Sequence, residues 1–147
     1  MSDFRRVTDS FWASPQITLG DIAEARERGI AMIVNNRPEN EAADQTPGPD
    51  IQAAAVAAGM SYCAIPVTHA GFNEEQVRAM VAALDSARGP VLAYCRSGTR
   101  STLLWALAQA MEGRDPGTIA SDAAGAGYDV TAVRPIIDML SGRAGGD

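Results

Sequence analysis

Short apolar runs and longer amphipathic segments alternate along this chain. Phe11-Trp12-Ala13-Ser14 reads as a first strand, with a turn at Pro15-Gln16. Thr18, with Asp21 three residues on, makes a capping-box start for a helix running to about Arg28, and Gly29 ends it. Ile30 to Asn35 is a continuous apolar run, the pattern of a buried strand. Asn36 to Gly48 is polar and proline-bearing, hence a loop. Pro49 opens an alanine-rich helix that Gly59 closes, and Tyr62 to Val67 reads as a third buried strand. Asn73-Glu74-Glu75-Gln76 starts another capped helix, reaching about Arg88. Pro90 to Tyr94 is a strand again, and Thr102 to Met111 a helix behind it. Asp115-Pro116 starts a further helix. Thr131 to Ser141 reads as a last one, kinked or restarted at Pro135, and Gly142 to Asp147 as a frayed tail.

Strands separated by helices pair in parallel through right-handed crossovers, with helices on both faces. The expectation is therefore an α/β fold of three layers, a short, mostly parallel sheet flanked by helices. No repeat or linker divides the chain, so residues 1–147 are expected to form a single catalytic domain. In such sheets ligands bind at the carboxyl ends of the strands. That edge collects the loops Asn35 to Gly48, Val67 to Phe72, and the one beginning at Cys95.

Composition narrows the partners. The net charge is −6, which disfavours nucleic acid and anionic membrane surfaces as partners. No apolar run is long enough to cross a bilayer, and Met1 to Ser10 lacks the apolar core of a signal peptide. The expected location is the cytoplasm, where a reactive thiol stays reduced. Two cysteines far apart in sequence make no disulfide framework. No cluster of histidines and cysteines has metal-ligand spacing, so neither a metal nor another cofactor is expected.

The chemistry concentrates in Cys95-Arg96-Ser97-Gly98-Thr99-Arg100-Ser101, which joins a strand to a helix. A tight loop there turns its N–H groups inward, and the helix adds a partial positive charge. Cations at a helix start oppose that dipole, so Arg96 and Arg100 imply a compensating anion. The segment reads as an anion cradle holding a nucleophilic sulfur, with Arg96, Ser97, Gly98 and Thr99 as the cradle and Arg100 as its clamp.

Ser14-Pro15-Gln16, Ile33-Val34-Asn35-Asn36-Arg37-Pro38, Ile65-Pro66-Val67 and Tyr94 to Ser101 together resemble the beta-lactamase-hydrolase-like protein phosphatase-like domain family. The resemblance covers roughly residues 4–111. It implies the fold of tyrosine and dual-specificity phosphatases, and it implies that the Ser101 hydroxyl bonds the cysteine sulfur, so Cys95, Arg100 and Ser101 are the expected catalytic residues. Some members of the family are called sulfur transferases.

Two departures from the phosphatase pattern shape the functional expectation. Tyrosine phosphatases place five residues between cysteine and arginine; here there are four, Arg96 to Thr99, the spacing of many single-domain rhodaneses. Dual-specificity phosphatases also carry an aspartic general acid after the strand matching Tyr62 to Val67. Here that loop reads Thr68-His69-Ala70-Gly71-Phe72. Protonating the leaving oxygen is worth ~10²–10⁴ in rate to a phosphatase, whereas sulfite or a low-pKa thiolate leaves unaided. The leading expectation is thus a rhodanese-like sulfurtransferase. It forms a Cys95 persulfide from thiosulfate or a low-molecular-weight persulfide and passes sulfur to a thiol such as glutathione. The alternatives are a phosphatase acting on a phosphate ester through a phosphocysteine, and a non-catalytic oxyanion-binding module.

The remaining residues each carry two readings. His69 is either a surface residue or a substitute acid; Asn36 and Arg37 either orient substrate or hold their loop. Cys63 is either core or a resolving thiol. Glu39, Glu41, Glu74 and Glu75 read most simply as solvated charges, and Trp12 and Trp105 as core.

Overall fold

The computed structural model describes residues 2–146. One sheet holds β1 (Arg5–Arg6), β2 (Phe11–Ser14), β3 (Met32–Asn35), β4 (Ser61–Ala64) and β5 (Val91–Tyr94), in the order β1-β2-β5-β3-β4. β2, β5, β3 and β4 are parallel, and β1 runs antiparallel to β2. The helices are α1 (Leu19–Glu27), α2 (Gly48–Ala57), α3 (Glu74–Ser86), α4 (Thr99–Met111), α5 (Pro116–Gly125) and α6 (Arg134–Gly146).

The period-two alternation of the strands divides the core into two layers. Ile33, Leu92 and Tyr94 face α1 and α2, where they meet Ile22, Ala25, Ile51 and Ala55. Val34, Val91 and Ala93 face the other way, against Val77 and Met80 of α3 and Leu104, Trp105 and Ala108 of α4. α4 is the central helix of that layer, in contact with α3, α5 and α6 as well as β2 and β5. Trp105 stacks on Phe11 with ring centroids 5.4 Å apart, anchoring the helix behind the sheet.

Local signals act as expected at most element ends. Asn73 Oδ1 accepts from Gln76 N–H at 2.8 Å while Gln76 Oε1 accepts from Asn73 N–H at 2.9 Å, a complete capping box. At the end of α1, Gly29 adopts φ +83°, and Ile30 N–H reaches back to Ala25 O at 3.1 Å in a Schellman closure. A 3₁₀ turn over Thr131–Val133 precedes α6, so the last segment restarts at Arg134, with Pro135 in its first turn.

Three expectations need correction, and one strand escapes the sequence pattern. β4 is not a buried strand: it is the sheet edge, and its four residues are exposed or only half-buried. Tyr62 to Ala64 reads as core because apolar residues covering an edge look the same in sequence as residues inside. β1 is too short for a periodic signal to register. α4 starts at Thr99, three residues ahead of the apolar pattern, because Gly98 turns the chain directly into the helix. The tail from Gly142 is helical to Gly146 rather than frayed, and Asp147 lies outside the described residues.

Candidate active site

Cys95 is the first residue beyond β5 and is completely buried. The parallel ladder runs one step past the strand: Cys95 N–H donates to Ser14 O at 3.4 Å, and Asn36 N–H donates to Tyr94 O at 2.8 Å. The sulfur-bearing residue is thereby fixed at the carboxyl edge between the ends of β2 and β3. Gln16 N–H then donates to Arg96 O at 3.2 Å, tying the turn after β2 to the loop itself.

The loop closes at Gly98, in the left-handed region with φ +92°. That conformation swings the Gly98 amide inward, where its N–H donates to Cys95 Sγ at 3.1 Å. A side chain has no room there, since a Cβ on Gly98 would lie 2.1 Å from Tyr128 Oη. Thr102 N–H to Gly98 O, at 3.0 Å, is the first hydrogen bond of α4. The amides of Thr99, Arg100 and Ser101 therefore precede the helical ladder, as at any helix start. Thr99 N–H turns to Ser97 Oγ at 3.3 Å. The helix behind this terminus is buried along most of its length, so little solvent screens its dipole from the loop.

Arg100 is gripped rather than free. Its Nη1 and Nη2 donate to Glu41 Oε2 and Oε1, both at 2.8 Å, and Nη1 also donates to Val67 O at 2.7 Å. Of the five guanidinium N–H groups, these bonds leave Nε–H and one Nη2–H, which form one side of the fork. Hydrogen bonds to Glu41 are the main cause pushing the Arg100 pKa up, and the neighbouring Cys95 sulfur adds to it. Glu41 responds in kind. Arg100 first, then Arg37, hold its pKa down to about 2 despite partial burial. Arg37 Nε donates to Glu41 Oε1 at 2.8 Å and its Nη1 to Gln16 Oε1 at 3.0 Å.

The structure thus joins Cys95, Arg100, Arg37 and Gly98 in one site. Arg37 holds the loop through Glu41 and Gln16 and is itself buried, which favours the loop-holding reading of this residue. Asn36 is fully buried and gives its Nδ2 to Ile65 O at 2.9 Å, pinning the chain after β4; its Oδ1 has no partner. His69 is 80% exposed, with Nε2 3.9 Å from Glu41 Oε2. Arg96, Ser97 and Thr99 are exposed. Cys63 lies in β4, separated from β5 by β3, and burial pushes its thiol pKa up. The expected bond from Ser101 to the sulfur is not formed. Ser101 Oγ is buried without a partner, and the sulfur accepts from Gly98 N–H.

Glu41 is the main correction: it is not a solvated charge but a carboxylate 16% exposed, holding two arginines. Its spacing of four from Arg37 is the only trace of this in the sequence, and a loop gives that spacing no fixed geometry. Among the described residues, no three His, Cys, Asp or Glu side chains cluster as a metal site, and no helix is long and apolar enough to cross a membrane.

The profile of the family described as beta-lactamase hydrolase-like protein, phosphatase-like domain, matches residues 3–112. The chain belongs to this family. The beta-lactamase hydrolase-like protein of Agrobacterium fabrum is 34% identical over 109 residues, 74% of this chain but 25% of that protein. Its Xylella fastidiosa counterpart is 41% identical over 88 residues, 59% of this chain and 20% of the relative. This phosphatase-like domain therefore spans a quarter or less of the length of the curated relatives it matches. Among solved structures, a candidate phosphatase from Neisseria meningitidis superposes with TM-score 0.83 at 30% identity, covering 95% of this chain and 99% of that one. The P. aeruginosa protein TpbA, in a variant bound to phosphotyrosine, shares the fold with TM-score 0.67 at 16% identity over 99% of this chain and 91% of that one. The domain has the cysteine-based tyrosine-phosphatase-like fold.

Proposed function

We propose that this phosphatase-like domain hydrolyses phosphate monoesters through a phosphocysteine at Cys95. The observation that carries the reading is the posture of Arg100. Glu41 and Val67 O hold its outer N–H groups and leave the Nε–Nη2 side available beside the loop, a fork that matches two oxygens of a tetrahedral dianion. The sulfur attacks phosphorus and the ester P–O bond breaks, with the leaving oxygen taking a proton. Water then attacks phosphorus, the P–S bond breaks, and its electron pair returns to Sγ. His69 is the acid of the first step and the base of the second, since its Nε2 stands 3.9 Å from the Glu41 carboxylate that holds Arg100. Hydrolysis of 4-nitrophenyl phosphate tests the reading. Cys95→Ser is expected to abolish turnover, and rapid acid quench of wild-type protein with ³²P-labelled substrate to trap label on Cys95. Turnover retained by Cys95→Ser rules it out.

The second reading is sulfur transfer, supported by the four-residue spacing of Cys95 and Arg100 and by the lack of a carboxylic acid between Val67 and Phe72. Here Sγ attacks the outer sulfur of thiosulfate, the S–S bond breaks, and sulfite leaves. The resulting persulfide then gives its outer sulfur to a thiol such as glutathione. Intact mass after thiosulfate treatment separates the two: a cyanide-reversible gain of one sulfur at Cys95 selects this reading, and no gain excludes thiosulfate as donor.

A further inference from the structure

One peptide unit lies between a buried tyrosine and the nucleophile. Tyr128 O–H donates to Ser97 O at 3.2 Å, and the N–H of the same peptide, that of Gly98, donates to Cys95 Sγ at 3.1 Å. Tyr128 follows α5, outside the residues 3–112 that the family profile matches. We infer that Tyr128 is a positioning residue for Cys95, acting through the Ser97–Gly98 peptide.

The physical basis is the coupling of a carbonyl and an N–H across one amide plane. A donor on the carbonyl oxygen draws charge out of the amide, which makes its N–H a stronger donor, and hydrogen bonds in a chain strengthen one another. The chain here is Tyr128 O–H to Ser97 C=O, then Gly98 N–H to Cys95 Sγ. It also fixes orientation. A glycine at φ +92° is free to rotate its flanking peptide, and a bond at each end of the plane removes that freedom.

The surroundings keep Tyr128 in place as a donor. Its ring is buried at 6% exposure, and the Arg5 guanidinium stacks over it, 5.2 Å from the ring centroid. Burial is the largest influence on its phenol and pushes the pKa up; Arg5 opposes this and Cys95 reinforces it, with a net rise. The phenol thus remains protonated at neutral pH and can donate. The contact further explains why Gly98 has no side chain, since the phenol oxygen occupies the position its Cβ would need.

This inference rests on Cys95 being the nucleophile, so the test reads the sulfur without any turnover. Tyr128→Phe keeps the ring and removes the donor. The Gly98 amide proton in a ¹H–¹⁵N spectrum is expected to move upfield, and alkylation of Cys95 by iodoacetamide at pH 7 to change by roughly two- to tenfold, the range of one neutral hydrogen bond. Site-specific replacement of Tyr128 by fluorinated tyrosines of graded acidity, which preserves the packing, is expected to shift the Gly98 proton progressively downfield. A Gly98 resonance indifferent both to Tyr128→Phe and to the fluorinated series overturns the inference. If the resonance responds while phosphate-ester hydrolysis is absent, the positioning role stands and the phosphatase reading fails.

Discussion

Glu41 meets Arg100 end-on, each carboxylate oxygen accepting one Nη hydrogen at 2.8 Å across 59 residues of sequence. The loop after β3 thereby sets the orientation of the arginine that follows β5. Arg37, anchored to Gln16, holds the same carboxylate from the other side. In the proposed phosphatase reaction a tetrahedral anion would meet a guanidinium whose orientation is already fixed, so binding would not have to order that side chain.

Glu41→Gln removes the negative charge and one of the two acceptor oxygens that take three arginine hydrogen bonds, two from Arg100 and one from Arg37. kcat/KM for an aryl phosphate is expected to fall about 10- to 100-fold while circular dichroism is unchanged, in line with the ~1.5–3 kcal/mol of charged hydrogen bonds. Activity within twofold of wild type removes Glu41 from the positioning role.

The same carboxylate makes stability depend on acid pH. Its folded pKa, held near 2 by Arg100 and Arg37, lies below the unfolded carboxylate value. Its contribution is therefore fully present above about pH 5 and is lost as pH falls toward the folded value. Urea unfolding of wild type and Glu41→Gln is expected to differ by a constant amount from pH 5 to 7 and to converge by about pH 2. Convergence at neutral pH instead would show that the pairing contributes nothing to stability.

Gly98→Ala meets two obstacles at once, a left-handed backbone and a phenol oxygen 2.1 Å from the new carbon. A loss of about 1–3 kcal/mol in unfolding free energy is expected, together with near-complete loss of turnover. Adding Tyr128→Phe relieves the oxygen contact but leaves the ring carbon 2.9 Å from the new Cβ and the backbone strain, so the double variant recovers part of the stability only. Full recovery in denaturant titration would mean the backbone term is absent.

Arg100→Lys keeps the charge and loses the fork. One ammonium cannot serve Glu41, Val67 O and an oxyanion with the same planar geometry. A fall of roughly 10²–10³ in kcat is expected, the scale of losing one preorganised oxyanion donor. Equal kcat with only KM raised would assign Arg100 to binding alone.

His69→Asn separates the acid from a surface residue through the leaving group. Hydrolysis of phenyl phosphate is expected to slow about 10²-fold or more, and that of 4-nitrophenyl phosphate far less, because nitrophenolate leaves without a proton. Identical losses on both substrates would exclude His69 as the acid.

Much of the architecture is legible in the residues because its signals are local. Thr18 with Asp21, Asn73 with Gln76 and Gly29 each act within one helical turn, and the alternation of strands and helices dictates a parallel sheet. Cys95, Gly98 and Arg100 are legible for the same reason, since six consecutive residues build the cradle. What could not be read depends on distance along the chain. Glu41 has the composition of any loop carboxylate until the sheet order β2-β5-β3 brings the ends of those strands together. Tyr128 carries no local mark at all; packing of α4 against α5 sets it beneath Ser97, 31 residues away. The exposure of β4 likewise follows from its place at the sheet edge. Sequence by itself determined most of the elements and singled out Cys95 as the candidate nucleophile, through propensities that act over a few residues. Tertiary structure alone decided which buried donors and carboxylates surround the sulfur, because hydrogen bonds and ion pairs require contact, and contact between distant residues is set by how the layers pack.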